Sequence, residues 1–197
     1  MNIEILTALC AFAFVSSITP GPNNLMLMTS GANHGIWRTM PHFLGVVFGF
    51  VIMILLMGNG LVQVFEAWPL SYDVLKVFSV AYLAYLAWKI ATAKPQAGKT
   101  RGEPLNLLQA ALFQWVNPKA WAMTLSVLTV YAPSQGFAAV ALVALICGLV
   151  NMPSVFVWVV LGSRLQRFLD SGVKLRVFNY CMALLLLASM YPVLVGA

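Results

Sequence analysis

Residues 3–29 read IEILTALCAFAFVSSITPGPNNLMLMT. An apolar run comes first, then Thr19, Pro20, Gly21, Pro22, Asn23 and Asn24, then a second apolar run. A helix rising about 1.5 Å per residue needs roughly 20 apolar residues to cross a hydrocarbon core of about 30 Å. This stretch overruns that length, and it is not expected to be one straight helix. Pro20 and Pro22 each lack an N–H and crowd the preceding turn, which frees the carbonyls of Ser16 and Ile18, while Gly21 admits backbone angles that other residues avoid. The expectation is a membrane span broken at its prolines. It is expected to stay in the protein, because Glu4 and no Lys or Arg precedes the apolar run of what would otherwise be a secretory signal.

The rest of the chain has the same character. Its 197 residues are 61% hydrophobic and 8% charged, which excludes a soluble domain that must coat itself in Lys, Arg, Asp and Glu. Apolar runs long enough to cross a bilayer fall near 3–29, 41–61, 72–90, 105–131, 137–161 and 177–195, giving six expected spans. The connections are short, so any activity must be built from the spans and their loops. The net charge of +6 is distributed by loop: Arg38 after span one; Lys89, Lys94, Lys99 and Arg101 after span three; Arg164, Arg167, Lys174 and Arg176 after span five. By the positive-inside rule those loops are cytoplasmic and both termini lie outside. Cys10, Cys147 and Cys181 fall inside spans without Cys-x-x-Cys pairing, so packing is their expected role, and neither a disulfide frame nor a metal site is indicated.

The segment AKPQAGKTRGEP, residues 93–104, divides the chain near its middle. A single polytopic domain is expected, with half one at 1–92 and half two at 105–197. Three spans per half means that two similar halves enter the membrane in opposite senses, an inverted repeat. Pro118 sits late in span four as Pro20 and Pro22 sit late in span one, and these are the two longest spans. The expected fold is therefore all-α and integral to the membrane: six transmembrane helices as two inverted three-helix repeats, the first helix of each half broken at proline.

Two constellations could carry chemistry. In TPGPNN the freed carbonyls need partners where water is absent, a helix restarting at Asn23 aims N–H groups at an anion, and Asn23 and Asn24 add donors and acceptors. A proline kink capped by asparagine fits the same residues. In FQWVNPKAW, residues 113–121, Pro118 frees the carbonyl of Gln114 and disfavours helical geometry at Asn117. Lys119 then lies inside a span, where its charge costs at least about 2.5 kcal/mol unless it is used. Snorkelling to an interface beside Trp115 and Trp121 is the alternative. Elsewhere, Gly45 and Gly49 form a face for close helix packing. Asn151 and Pro153 interrupt span five and either line the cavity or kink the helix. His34 and His42 flank the first cytoplasmic loop, where they could shuttle protons or simply be solvated.

With these residues in view, the chain resembles the LysE/RhtB family of bacterial amino-acid exporters. TPGPNN, AYLAYLAWKIATA at residues 81–93 and FQWVNPKAW carry the match, in order and at appropriate spacing. The resemblance implies six helices, the cytoplasmic membrane, and efflux of amino acids or close derivatives driven by protons or another coupling ion. Its motifs cover Pro20, Gly21, Pro22, Asn23, Asn117, Pro118 and Lys119. With Asn24 and Gln114 these make up the expected substrate site. Where many members carry an acidic residue after the second glycine of span two, this chain has Phe50, so a neutral substrate fits better than a strongly cationic one. The pattern looks most like the cysteine and O-acetylserine exporter branch, with threonine- and homoserine-like compounds in the same class.

The expected function is export by alternating access, with no enzymatic activity, cofactor, metal ion or nucleic acid called for. The partners are the amino acid, the coupling ion and the bilayer; a homo-oligomer is compatible with the composition. Two other classes compete. An exporter of metal or other ions would need intramembrane carboxylates or thiolates at ligand spacing. A membrane thiol–disulfide electron carrier would need cysteines facing each other from both halves, yet span one offers Cys10 and span four none.

Overall fold

In the computed structural model, residues 1–93, 103–132, 136–169 and 171–191 are described, and they are helical throughout with no strand among them. The order is α1 (Ile3–Ile18), α2 (Pro22–Leu56), a π turn (Met57–Leu61), α3 (Val62–Ala67), α4 (Leu70–Ala91), α5 (Leu107–Phe113), a 3-10 turn (Gln114–Val116), α6 (Pro118–Tyr131), α7 (Phe137–Leu165) and α8 (Gly172–Ala188). Lys94, Lys99 and Arg101, most of the 93–104 loop and the expected end of span six at Val195 lie outside the described residues.

Both expected breaks are present. The first long apolar stretch ends as helix at Ile18 and restarts at Pro22, one residue before the expected Asn23, because a proline at the first helical position gives up an N–H that had no helical partner. In the second, α5 tightens into the 3-10 turn, Asn117 is extended, and α6 starts at Pro118.

One boundary differs from expectation. Span two was expected from Pro41, but helix resumes at Ile36, directly after a reversal at Gly35 (φ 77°, ψ 174°), a left-handed conformation that favours glycine. On a straight helix nine residues span about 13 Å. The hydroxyls of Ser30 and Thr39, nine residues apart, instead share a hydrogen bond of 2.9 Å, so residues 22–34 and 36–56 form a helical hairpin. The second arm also outlasts Leu61, continuing through the π turn into α3.

Helix α7 packs along α2 and against α1. Its Gly162 lies against the backbone of Met28 and Ala32, leaving no room for a Cβ, while Gly148 faces Val51 and Val140 faces Gly58. It thus runs antiparallel to residues 36–58 and crosses residues 28–32 at its far end. The Gly45 and Gly49 face packs as expected: Gly45 abuts Leu107 and Ala110, and a Cβ on Gly49 would stand 2.6 Å from Ala111 Cα, so α5 lies directly on α2. A separate pair, α4 and α8, meets through Leu83, Leu86, Ala183 and Leu186, with Met26 and Phe113 in the same cluster.

Three helical stretches, Pro22–Ala67, Leu70–Ala91 and Phe137–Leu165, are long and apolar enough to cross a membrane, and Ile3–Ile18 and Leu107–Val116 are shorter apolar helices. Large apolar side chains face outward on these stretches, with Val77 68% and Leu149 61% exposed. Such a surface belongs in lipid. Replacing Gly49 by leucine is expected to separate α5 from α2 and sharply reduce the folded, membrane-inserted fraction, read by fluorescence-detected gel filtration in detergent; Gly136→Leu, in open space, is expected to leave it unchanged.

Candidate functional site

The two breaks face each other. Asn23 at the start of α2 donates from Nδ2 to Gln114 Oε1 at 2.8 Å, and Gln114 Nε2 donates back to Asn23 Oδ1 at 3.3 Å. From α6, Lys119 Nζ reaches across to Thr19 O at 2.7 Å, Thr19 Oγ1 at 2.8 Å and Pro20 O at 3.3 Å. An ammonium has three protons, and three oxygens receive them. The lysine is half-buried, and its ammonium bonds the Thr19–Pro20 break rather than the tryptophans. Trp121 is itself buried, donating to Trp115 O at 2.9 Å and stacking edge-on with Phe65 and Trp115.

Every carbonyl that the first pair of prolines frees has a partner. Ser16 O accepts from Thr19 Oγ1 at 3.1 Å and Ile18 O from Trp158 Nε1 at 3.1 Å. Asn24 Nδ2 donates to Ser17 O and Thr19 O at 2.8 and 2.7 Å, so this buried amide latches the break on its own side. In the second break Gln114 O accepts from the Asn117 N–H at 3.3 Å, and Asn117 Oδ1 accepts from the Lys119 N–H at 3.2 Å, which caps α6. Gly21 lets the two chains approach: a Cβ there would meet Lys119 Cδ at 2.7 Å.

Of the nine residues expected from sequence, Gly21, Asn23, Asn24, Asn117 and Lys119 line the gap between the breaks; Gln114 is bonded to Asn23 at its edge, and Pro20, Pro22 and Pro118 shape the backbone around it. Ser16, Ser17, Phe50, Met123, Asn151 and Val155 line it as well. Asn151 donates from Nδ2 to Ser17 Oγ at 3.0 Å, while its Oδ1 is buried without a hydrogen-bond partner. The interruption of span five expected at Asn151 and Pro153 does not occur, since α7 runs unbroken through both, and Asn151 lines the gap. Ser16, Ser17 and Thr19 carried no comparable signal, since a serine or threonine in a membrane helix commonly bonds its own backbone.

The gap is closed. Traced by the centre of a water-sized sphere it measures about 20 Å³, room for a water molecule and not for an amino acid. The gap brings together one ammonium, several carbonyl and amide acceptors and the N-terminal end of α2, which has no side-chain cap; Lys119, Asn23 and Gln114 are engaged across it, while Asn151 Oδ1 is not.

Residues 14–189 match the LysE type translocator family. The chain belongs to that family. Among its relatives are proteins named cysteine/O-acetylserine efflux protein, each 26% identical: in Escherichia coli O139:H28 (strain E24377A / ETEC), over 190 residues covering 95% of this chain and 96% of the relative; and in Escherichia coli (strain K12) and Shigella sonnei (strain Ss046), over 189 residues covering 94% and 95%. No solved structure matches the chain. Membership of the LysE type translocators makes the protein a transporter, and the helix breaks are where its motifs TPGPNN and FQWVNPKAW come together.

Lys119→Met removes three hydrogen bonds across the gap, leaving Thr19 O to Asn24 and Pro20 O without a side-chain donor among the described residues, an expected cost of about 1 kcal/mol. It is read as a lowered thermal unfolding midpoint in detergent. Gly21→Ala is expected to lower the midpoint in the same direction by pushing the lysine off those oxygens.

Proposed function

We propose that this translocator is a secondary transporter exporting small, neutral amino acids or their derivatives from the cytoplasm by alternating access, with cysteine and O-acetylserine as leading substrates and threonine- or homoserine-like compounds in the same class. The observation that carries this reading is the meeting of two broken helices at a polar gap spanned by Lys119. The names of the relatives support the choice of substrate.

In this reading the chain is one membrane domain of the bacterial cytoplasmic membrane. Its six spans form two inverted repeats of three, with both termini outside. The first span comprises α1 and residues 22–34, the fourth comprises α5 and α6, and their breaks form the site. The substrate carboxylate takes the place of the Thr19 and Pro20 oxygens at Lys119 Nζ and meets the free N-terminal end of α2. Its ammonium goes to the released carbonyls and to Asn151 Oδ1. Each hydrogen bond that holds the gap shut is exchanged for one to the zwitterion, so opening does not leave a polar group stranded in lipid. One half then rocks against the other, and the return of the empty carrier is coupled to a proton or another ion. No Asp or Glu lines the gap, so a second ammonium on the substrate has no counter-charge there, which favours neutral substrates.

The test is efflux of preloaded radiolabelled cysteine, O-acetylserine, threonine, leucine and lysine from cells with matched membrane levels of wild type or variant. The wild type is expected to accelerate the loss of cysteine or O-acetylserine and not of lysine. Lys119→Met and Asn151→Leu are each expected to slow that loss at least about tenfold, a transition-state cost of about 1.4 kcal/mol. Unchanged efflux in Lys119→Met, or lysine exported as fast as cysteine, contradicts the reading.

A further inference from the structure

A second, much larger cavity lies at the Gly35 end of the molecule. It is bordered by residues 22–34 and 36–56 of α2, the C-terminal part of α4 and residues 103–105, is open on the side of the exposed Tyr85, Trp88, Lys89 and Glu103, and on the same water-centre measure holds about 520 Å³, within the range of small-molecule sites. Its wall includes Asn33, His42, Tyr85, Trp88, Lys89 and Glu103. His42 is the telling member. It is 1% exposed, and neither ring nitrogen has a hydrogen-bond partner among the described residues. A buried imidazole has at least one donor and one acceptor to satisfy, and leaving them unmade is costly.

The other polar groups nearby do not satisfy it. Thr29 Oγ1 donates to Leu25 O, Ser30 and Thr39 bond each other, and Asn33 Nδ2 donates to Thr29 O and Asn179 Oδ1. Lys89 and Glu103, one cation and one anion, line the same chamber without an ion pair between them. Each is available to a ligand that carries both charges.

We propose that this chamber is a second binding site, the one an amino acid occupies on arrival from the cytoplasm before it reaches the closed gap. Lys89 meets the carboxylate, Glu103 meets the ammonium, and His42 hydrogen-bonds a thiol, hydroxyl or ester on a short side chain. The ligand class is a small zwitterion with a polar side chain. Branched apolar amino acids leave His42 without a partner and bind more weakly, because they forgo the hydrogen bond that a polar side chain gains there. The inference rests on the exporter reading, and on the orientation that puts the Gly35 end in the cytoplasm.

The experiment uses the purified full chain with radiolabelled O-acetylserine as probe: equilibrium binding in detergent, and efflux from proteoliposomes over a range of internal concentrations. Wild type is expected to bind two molecules per chain. His42→Leu is expected to bind one and to raise the half-saturating internal concentration at least fivefold, well beyond its effect on maximal rate, while His42→Gln, which keeps a donor and an acceptor, restores most of both. Lys119→Met is expected to keep the chamber's molecule while losing efflux. A wild type that exports the probe but binds one molecule, or a His42→Leu protein with unchanged half-saturation, overturns the chamber and leaves the exporter reading standing. A wild type that neither binds nor exports the probe or cysteine overturns both.

Discussion

A proline in a soluble helix costs a hydrogen bond that water can replace. In lipid no such replacement exists, so every carbonyl released by a break must be given a partner by the protein. Most of the architecture around the gap follows from that constraint. Lys119 stands where Thr19 and Pro20 expose their oxygens, Asn24 takes Ser17 and Thr19, and Trp158 comes from α7 to take Ile18. A half-buried charge between helices and carbonyls stripped of helical partners are each unfavourable alone. Placed together, each removes the other's cost.

The same solution sets up movement. Groups that satisfy one another across a gap, rather than along a helix, can separate when a ligand offers equivalent bonds. The asymmetry of hydrogen-bond energetics makes this workable: making one bond in place of another is nearly neutral, while leaving a group unpaired is expensive. On the proposed function the gap has two favourable conditions, closed on itself or filled with a zwitterion, and an unfavourable one in between. On the proposed reading that ordering ties opening to the presence of substrate. The glycine contacts on both sides of the gap, α5 on Gly49 and α7 on the Met28 turn, are backbone-close, which keeps the elements that carry the breaks rigid while the breaks themselves exchange partners.

Much of this could be read from residues in order. Apolar run lengths gave the helical membrane character, and the unusual length of residues 3–29 and 105–131 together with their prolines gave both breaks, because steric rules for proline act locally. Gly45 and Gly49 were legible as a packing face for the same reason. The hairpin at Gly35 was not anticipated, since a lone glycine inside an apolar pattern does not announce a positive φ. Nor does sequence reveal how the polar side chains are bonded: Asn24 and Asn117 line the gap and also serve as latch and cap, while Asn151 and Thr19 are set by contacts with Ser17 and Lys119 that lie a hundred or more residues away and that no local pattern shows. His42 is a similar case, unremarkable beside a loop and exceptional once buried without a partner.

The most direct measurement of the facing breaks is a double-mutant cycle on Asn23 and Gln114, the amide pair that joins them across 91 positions of sequence. Thermal unfolding in detergent would be followed for wild type, Asn23→Ala, Gln114→Ala and the double variant. The account predicts that the two single changes are strongly non-additive, with a coupling of about 0.5–1.5 kcal/mol, because removing either partner already forfeits the pair. Additive losses, equal in the double variant to the sum of the singles, would contradict it and place the two breaks apart.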